Sequence, residues 1–192
     1  MKHPLFILVL LLVISQTLFS QTPAAPGALT ADDLVKKATE KIAGKDYEGA
    51  ITDCNRALQI THQSSWAFDI RGLAKYYLGR YAEAIADYDE AIAIFPGYVG
   101  ACFNRGLAKL YLNRYAEAID DFTRAIAWDP KYFTAYNSRG YVYYKLGGTK
   151  ENYRKAIADY DTGIALGGSS YKPFYQYREN ANAALATAPG GE

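Results

Sequence analysis

The sequence predicts an all-α solenoid of four helix-turn-helix units closed by a C-terminal capping helix, and three observations carry that prediction. The first is an internal repeat: Arg71 to Pro96, RGLAKYYLGRYAEAIADYDEAIAIFP, returns from Arg105 to Pro130 as RGLAKLYLNRYAEAIDDFTRAIAWDP, 34 residues later. A looser copy starts at Arg139, and Tyr47 to Ala57 is an earlier one, with Ala50 standing 34 residues before Ala84. A fixed period of this length marks stacked helix pairs, each too small to bury its apolar face alone. The second observation is spacing: Tyr81, Ala84, Ile85, Tyr88, Ala91 and Ile92 recur at three and four, the helical interval. The third is a set of small residues at fixed places in the unit, Gly72, Gly106 and Gly140 in the first helix and Ala50, Ala84, Ala118 and Ala156 in the second. Glycine costs about 1 kcal/mol against alanine inside a helix, so its return at one place implies packing that excludes a side chain.

Residues 1–20 read as a secretory signal peptide. Lys2 supplies a basic start, Leu5 to Ile14 is an unbroken apolar run, and small Ser20 precedes Gln21 at the expected cleavage point. A membrane-spanning helix needs about 20 apolar residues, and Ser15, Gln16 and Thr17 interrupt this run too early. No cysteine follows it, so a lipid anchor is not indicated. The expected location is the periplasm or the extracellular space, with no stable membrane insertion after cleavage. Residues 21–30, QTPAAPGALT, form a flexible leader. The units then run 31–64, 65–98, 99–132 and 133–170, followed by a capping helix at 171–188 and a disordered tail at 189–192. Pro96 and Pro130 end second helices, while large Tyr47, Tyr81, Tyr115 and Tyr153 fill the corner beside the small residues. The fourth unit carries four extra residues in Gly147 to Asn152, placed by this reading in the turn between its helices. Polar Gln176, Arg178, Glu179, Asn180 and Asn182 suit the outer side of a cap.

These residues carry a resemblance to the tetratricopeptide repeat family, whose unit has aromatic, Gly, Ala, aromatic and Pro columns. They stand as Phe68, Gly72, Ala84, Tyr88 and Pro96, and one unit later as Gly106, Ala118, Phe122 and Pro130. The sequence departs from the pattern in having Arg before the Gly in each clear copy, where the family has Leu. The resemblance implies a right-handed superhelical solenoid with the first helices on its concave side. It assigns a binding groove to Trp66, Asp69, Leu73 and Tyr76, then Phe103, Asn104 and Leu107, then Asn137, Tyr141 and Tyr144. The same residues also suit packing between neighbouring first helices. Some members grip a C-terminal carboxylate with Lys, Asn and Arg; the corresponding places here hold Val35, Thr39, Ile70, Gly100 and Asn104, so that mode is not expected. The implied function is a non-catalytic adaptor or scaffold whose partner is a protein or peptide. The alternative is a glycan or small-ligand binder in which Trp66, Tyr141 and Tyr144 stack on rings.

Composition narrows the function classes. Without Lys2, 20 Lys and Arg face 20 Asp and Glu, and a neutral chain lacks the basic surplus of a nucleic-acid binder. Of the two histidines, His3 is in the signal and His62 in an inter-unit turn, so neither a His-based triad nor a multi-His metal site can be assembled. There is no phosphate-cradling glycine loop. Carboxylates cluster at Asp87 and Asp89, Asp120 and Asp121, and Asp159 and Asp161, but residues one or two apart on a helix point to different faces. No catalytic residue, metal or cofactor is expected. Cys54 and Cys102 fall on core columns with helices stacked between them, and are expected to be buried and unpaired.

The Arg column needs carboxylates if it is buried. The second helices offer Asp53, Asp87, Asp121 and Asp159. A ladder between units is therefore expected: Arg71 with Asp53, Arg105 with Asp87, Arg139 with Asp121 and Arg178 with Asp159. Lys37, which holds that place in the first unit, is expected in solvent.

Overall fold

A computed structural model describes residues 29–167 and 172–189, and among them the chain forms nine α-helices and no strand. Residues 1–28, where the signal peptide and most of the leader are expected, residues 168–171, and residues 190–192 of the expected disordered tail lie outside the described part. The helices pair as α1 (Ala31–Ala43) with α2 (Tyr47–Ile60), α3 (Ser65–Tyr77) with α4 (Tyr81–Ile94), α5 (Val99–Tyr111) with α6 (Tyr115–Trp128), and α7 (Phe133–Leu146) with α8 (Lys150–Ala165); α9 (Lys172–Thr187) follows alone. All nine belong to one unit, Ala31–Glu192. Each helix packs on its successor, and each first helix also touches the first helix of the next pair, α1 on α3, α3 on α5, α5 on α7 and α7 on α9. This is an all-α superhelical repeat.

Local chemistry sets the helix ends. Asp46, Ser64 and Thr149 each accept a hydrogen bond from the backbone N–H three residues on, at 3.0, 3.1 and 3.2 Å, satisfying a donor that a helix start leaves free. Phe95 and Asp129 stop α4 and α6 in extended conformation, as residues before proline do. Gly147 ends α7 at φ 52°, in the left-handed region that glycine enters without penalty.

The core is a set of columns. Ala50, Ala84, Ala118 and Ala156 are fully buried, as are Tyr88, Phe122 and Tyr160, with Cys54 in the same place in the first unit. A Cβ on Gly72 would lie 2.8 Å from the Tyr88 ring, and one on Gly106 2.7 Å from the Phe122 ring. Paired helices therefore close on glycine against an aromatic ring. Cys54 and Cys102 are buried and unpaired, as their columns require. Burial pushes the Cys54 thiol up to about 12.

The Tyr88 and Tyr160 hydroxyls are buried without a hydrogen-bond partner, while Phe122 fills the same column with no polar atom. An unsatisfied buried hydroxyl is costly. Tyr88→Phe is therefore expected to stabilise the fold by about 1 kcal/mol, read as a higher denaturant midpoint at unchanged slope. A lower midpoint would show that the hydroxyl has a partner after all.

The four extra residues do not sit where the sequence suggested. The turn between α7 and α8 keeps three residues, Gly147 to Thr149, like Leu78 to Arg80 between α3 and α4. The helices absorb the insertion instead: α8 begins at Lys150, three residues before Tyr153, the place where α2, α4 and α6 begin with tyrosine. Thr149 caps the added turn, and Asn152 Nδ2 ties it to the Gly147 carbonyl at 2.9 Å.

Candidate functional site

Because first helices touch first helices, their side chains meet on one face, and there they line an open cavity of about 830 Å³. Tyr76 of α3, Phe103 and Leu107 of α5, and Asn137 and Tyr141 of α7 line it, as the sequence assigned. The capping helix supplies Phe174 and Tyr177 as a further wall, and the helix corners add Tyr111, Asn113, Tyr115 and Lys145. Sequence reasoning missed these. The cap was legible as a polar-faced lid, but its apolar side was not recognised as part of the groove.

The other assigned residues are placed differently. Trp66 is 42% exposed at the start of α3 and does not reach the cavity. Leu73 is half-buried outside it. Tyr144 packs against Tyr153, with ring centroids 6.2 Å apart, and the buried cluster around Tyr160. Of the three aromatics proposed to stack on a glycan, only Tyr141 faces the cavity.

Asp69 and Asn104 turn out to be partners of each other. Asp69 is 7% exposed and accepts hydrogen bonds from Tyr98 Oη at 2.9 Å and Asn104 Nδ2 at 3.3 Å, a bond between neighbouring units in place of a ligand contact. Burial raises the Asp69 carboxyl above its ordinary value of 3.8, against the pull of the two hydrogen bonds. Folded Asp69 thus holds its proton more tightly than unfolded Asp69. The stability it contributes is present at low pH and is lost as pH rises from 3.8 through the raised value. Asp69→Asn, which keeps an acceptor for Tyr98, is expected to gain about 1 kcal/mol at neutral pH. The gain should vanish as pH falls into the carboxylate range. Equal denaturant midpoints of the two chains at neutral pH would contradict this.

The Arg column forms a ladder, but a different one. Arg71 Nε donates to Asp87, and its Nη2 reaches the same carboxylate at 2.6 Å. Arg105 grips Asp121 through Nε at 2.9 Å and through Nη2, and Arg139 grips Asp159 at 2.8 Å on both arms. Each Arg thus holds the Asp of its own unit, and the pairs Arg71 with Asp53, Arg105 with Asp87, Arg139 with Asp121 and Arg178 with Asp159 are not formed. The reason lies one residue along. Gly72 closes on Tyr88, so the preceding Arg71 falls beside the preceding Asp87, and the same holds for Arg105 and Arg139.

Only the remaining arm reaches back: Arg71 Nη1 donates to Asn55 at 2.7 Å, Arg105 Nη1 to Asp89 at 2.6 Å and Arg139 Nη1 to Thr123 at 3.0 Å. Arg178 of the cap bonds Asp161 in the same place. Lys37 is exposed, and Asp53 is held by Lys41 at 2.6 Å. Lys75 and Lys109 likewise join Asp87 and Asp121, each at 2.7 Å. This second cation was missed, although its 34-residue spacing was visible in the sequence.

Among the described residues no group of three or more His, Cys, Asp or Glu is placed to hold a metal ion, and no helix is long and apolar enough to cross a membrane. The arrangement defines a class: a helix-pair repeat whose first helices line an open aromatic cavity. Family models agree. A tetratricopeptide repeat model matches residues 66–98 and a TPR repeat model matches residues 106–147. The chain belongs to the tetratricopeptide repeat family.

Among solved structures, the first TPR of Spaghetti (RPAP3) bound to the HSP90 peptide SRMEEVD is 25% identical, covers 61% of this chain and 93% of its own, and gives a TM-score of 0.60. The Arabidopsis OM64 TPR domain is 25% identical over 58% of this chain and 93% of its own, with a TM-score of 0.57. MamA, at 22% identity, covers 81% of this chain and 82% of its own with a TM-score of 0.72, a likeness of fold. No curated protein matches the sequence.

Proposed function

We propose that this protein is an exported, non-catalytic scaffold that holds a peptide segment of a partner protein against its first-helix face. The observation that carries the reading is the cavity itself. It is lined mainly by aromatic side chains from three successive first helices and the cap, and large apolar recesses with a few polar groups are where ligands bind. The RPAP3 domain, which shares the fold at 25% identity, is bound to a peptide. Export rests on the basic start and apolar run of residues 1–20. The balance of charge argues against a nucleic-acid partner.

A library of displayed peptides panned on the chain tests the binding half. Retained peptides should bind Tyr141→Ala more weakly than the parent chain, with helical circular dichroism intact; a library from which nothing is retained would sink it. The mass of the native protein tests export. A chain that still begins at Met1 would count against it.

A further inference from the structure

The cavity opens where a ring is missing from a series. Tyr47 of α2 stacks on Tyr77 of α3 with ring centroids 5.1 Å apart and planes at 20°. One unit on, Tyr81 of α4 stacks on Tyr111 of α5 at 4.8 Å and 11°. Each stack joins the first residue of a second helix to the last residue of the next first helix, and so closes a corner between units. The third pair in the series is Tyr115 of α6 with residue 145 of α7, and residue 145 is a lysine. Lys145 has no ring to lay on Tyr115. Its Nζ lies 5.8 Å from the Tyr141 ring, one turn back on its own helix, and the Tyr115 hydroxyl turns to Asn113 Oδ1 at 2.8 Å. Tyr115, Lys145 and Tyr141 all face the cavity.

The charge of the lining points the same way. No Asp or Glu lines the cavity, and among the described residues no carboxylate pairs with Lys145. On the same lining, Thr134 Oγ1 and Asn137 Oδ1 are buried without a partner. Asn137 is 3% exposed, its Nδ2 is taken by the Phe133 carbonyl at 2.9 Å, and its amide lies against Gly163 of α8, so these two atoms are closed to a ligand and Lys145 is the polar group the cavity offers at this corner. A cation is disfavoured beside Lys145; a ring bearing a neighbouring acid is not.

Resting on the peptide-binding reading above, we propose that this cavity takes an aromatic side chain of a peptide with a carboxylate next to it. The ring lies on Tyr115 and completes the third stack, offset stacking being a favourable geometry for aromatic pairs. The carboxylate pairs with Lys145. The charge preference comes from a side chain within the peptide and needs no free C-terminus.

The test uses fluorescein-labelled peptides, acetylated and amidated so that neither end is charged, that carry Trp-Glu, Trp-Lys or Ala-Glu at the centre. Fluorescence anisotropy with the full chain should rank Trp-Glu tightest, about tenfold over Trp-Lys. Lys145→Glu should reverse that order. Lys145→Tyr should rebuild the stack with the chain's own ring, keep or raise the thermal midpoint, and weaken Trp-Glu by about tenfold or more. Equal binding of Trp-Glu and Trp-Lys to the parent, or parent-like binding by a folded Lys145→Tyr, overturns the proposal. Panning separates its failure from that of the groove reading. Retained peptides without aromatic and acidic neighbours sink this proposal alone, and a library yielding nothing sinks both.

Discussion

Replacing Asp121 by alanine is expected to destabilise the fold by about 3 to 5 kcal/mol, the cost of taking from two buried cations the one buried carboxylate they share. Asp121 is 2% exposed and accepts from both Arg105 and Lys109, themselves 9% and 8% exposed. Arg105 would keep only half-exposed Asp89 and Lys109 only Glu117 at 3.8 Å, neither of which replaces the buried carboxylate. Burial works against the Arg105 charge, yet the hydrogen bonds and charge of Asp121 and Asp89 more than offset it. The effect should be graded along the chain. Asp159 has lost the lysine, because Tyr143 stands in the place of Lys109, and its single partner Arg139 is more exposed, so Asp159→Ala should cost less. A double-mutant cycle checks the pairing: Arg105 should couple to Asp121 by about 1 kcal/mol or more and to Asp87 by less than about 0.5. A midpoint change for Asp121→Ala no larger than that of an exposed pair, about 0 to 1 kcal/mol, would show that water screens the network.

Stopping the chain after Ser170 is expected to drive self-association and to lower the thermal midpoint. Ala181 of α9 is fully buried and packs in one cluster with Ala156 and Tyr160. Tyr177 meets the Tyr141 ring at 5.5 Å and the Tyr160 ring at 6.2 Å. Without α9 this apolar side faces water, and terminal repeats need a polar outer face to stay soluble. The cut also removes Phe174 and Tyr177 from the cavity, so peptide binding should fall with it. Sedimentation across a range of concentrations reads the first effect. A truncated chain that stays monomeric and melts with the parent would make α9 an idle appendage.

Much of this architecture was legible residue by residue. The 34-residue echo placed the helix pairs, the Gly and Ala columns marked where helices close, and the loss of the Gly column at residue 179 marked the cap. Periodicity also exposed each exception as a departure from its own column. Lys145 in place of Tyr77 and Tyr111 was readable in this way. What it would do was not.

The sequence by itself determined the solenoid, its units, its core columns and its free thiols, because a repeat dictates the same local packing each time it recurs. It also determined that Arg and Asp must meet, since neither can be buried alone. Only the tertiary structure decided which Asp each Arg holds. That choice depends on the rotation of one helix about its partner, set by glycine closing on an aromatic ring, and helical spacing is silent on it. The same holds for the groove. Asp69 and Asn104 are consumed by a contact between units, Trp66 points away, and the cap supplies a wall, because the angle between successive pairs decides which side chains converge.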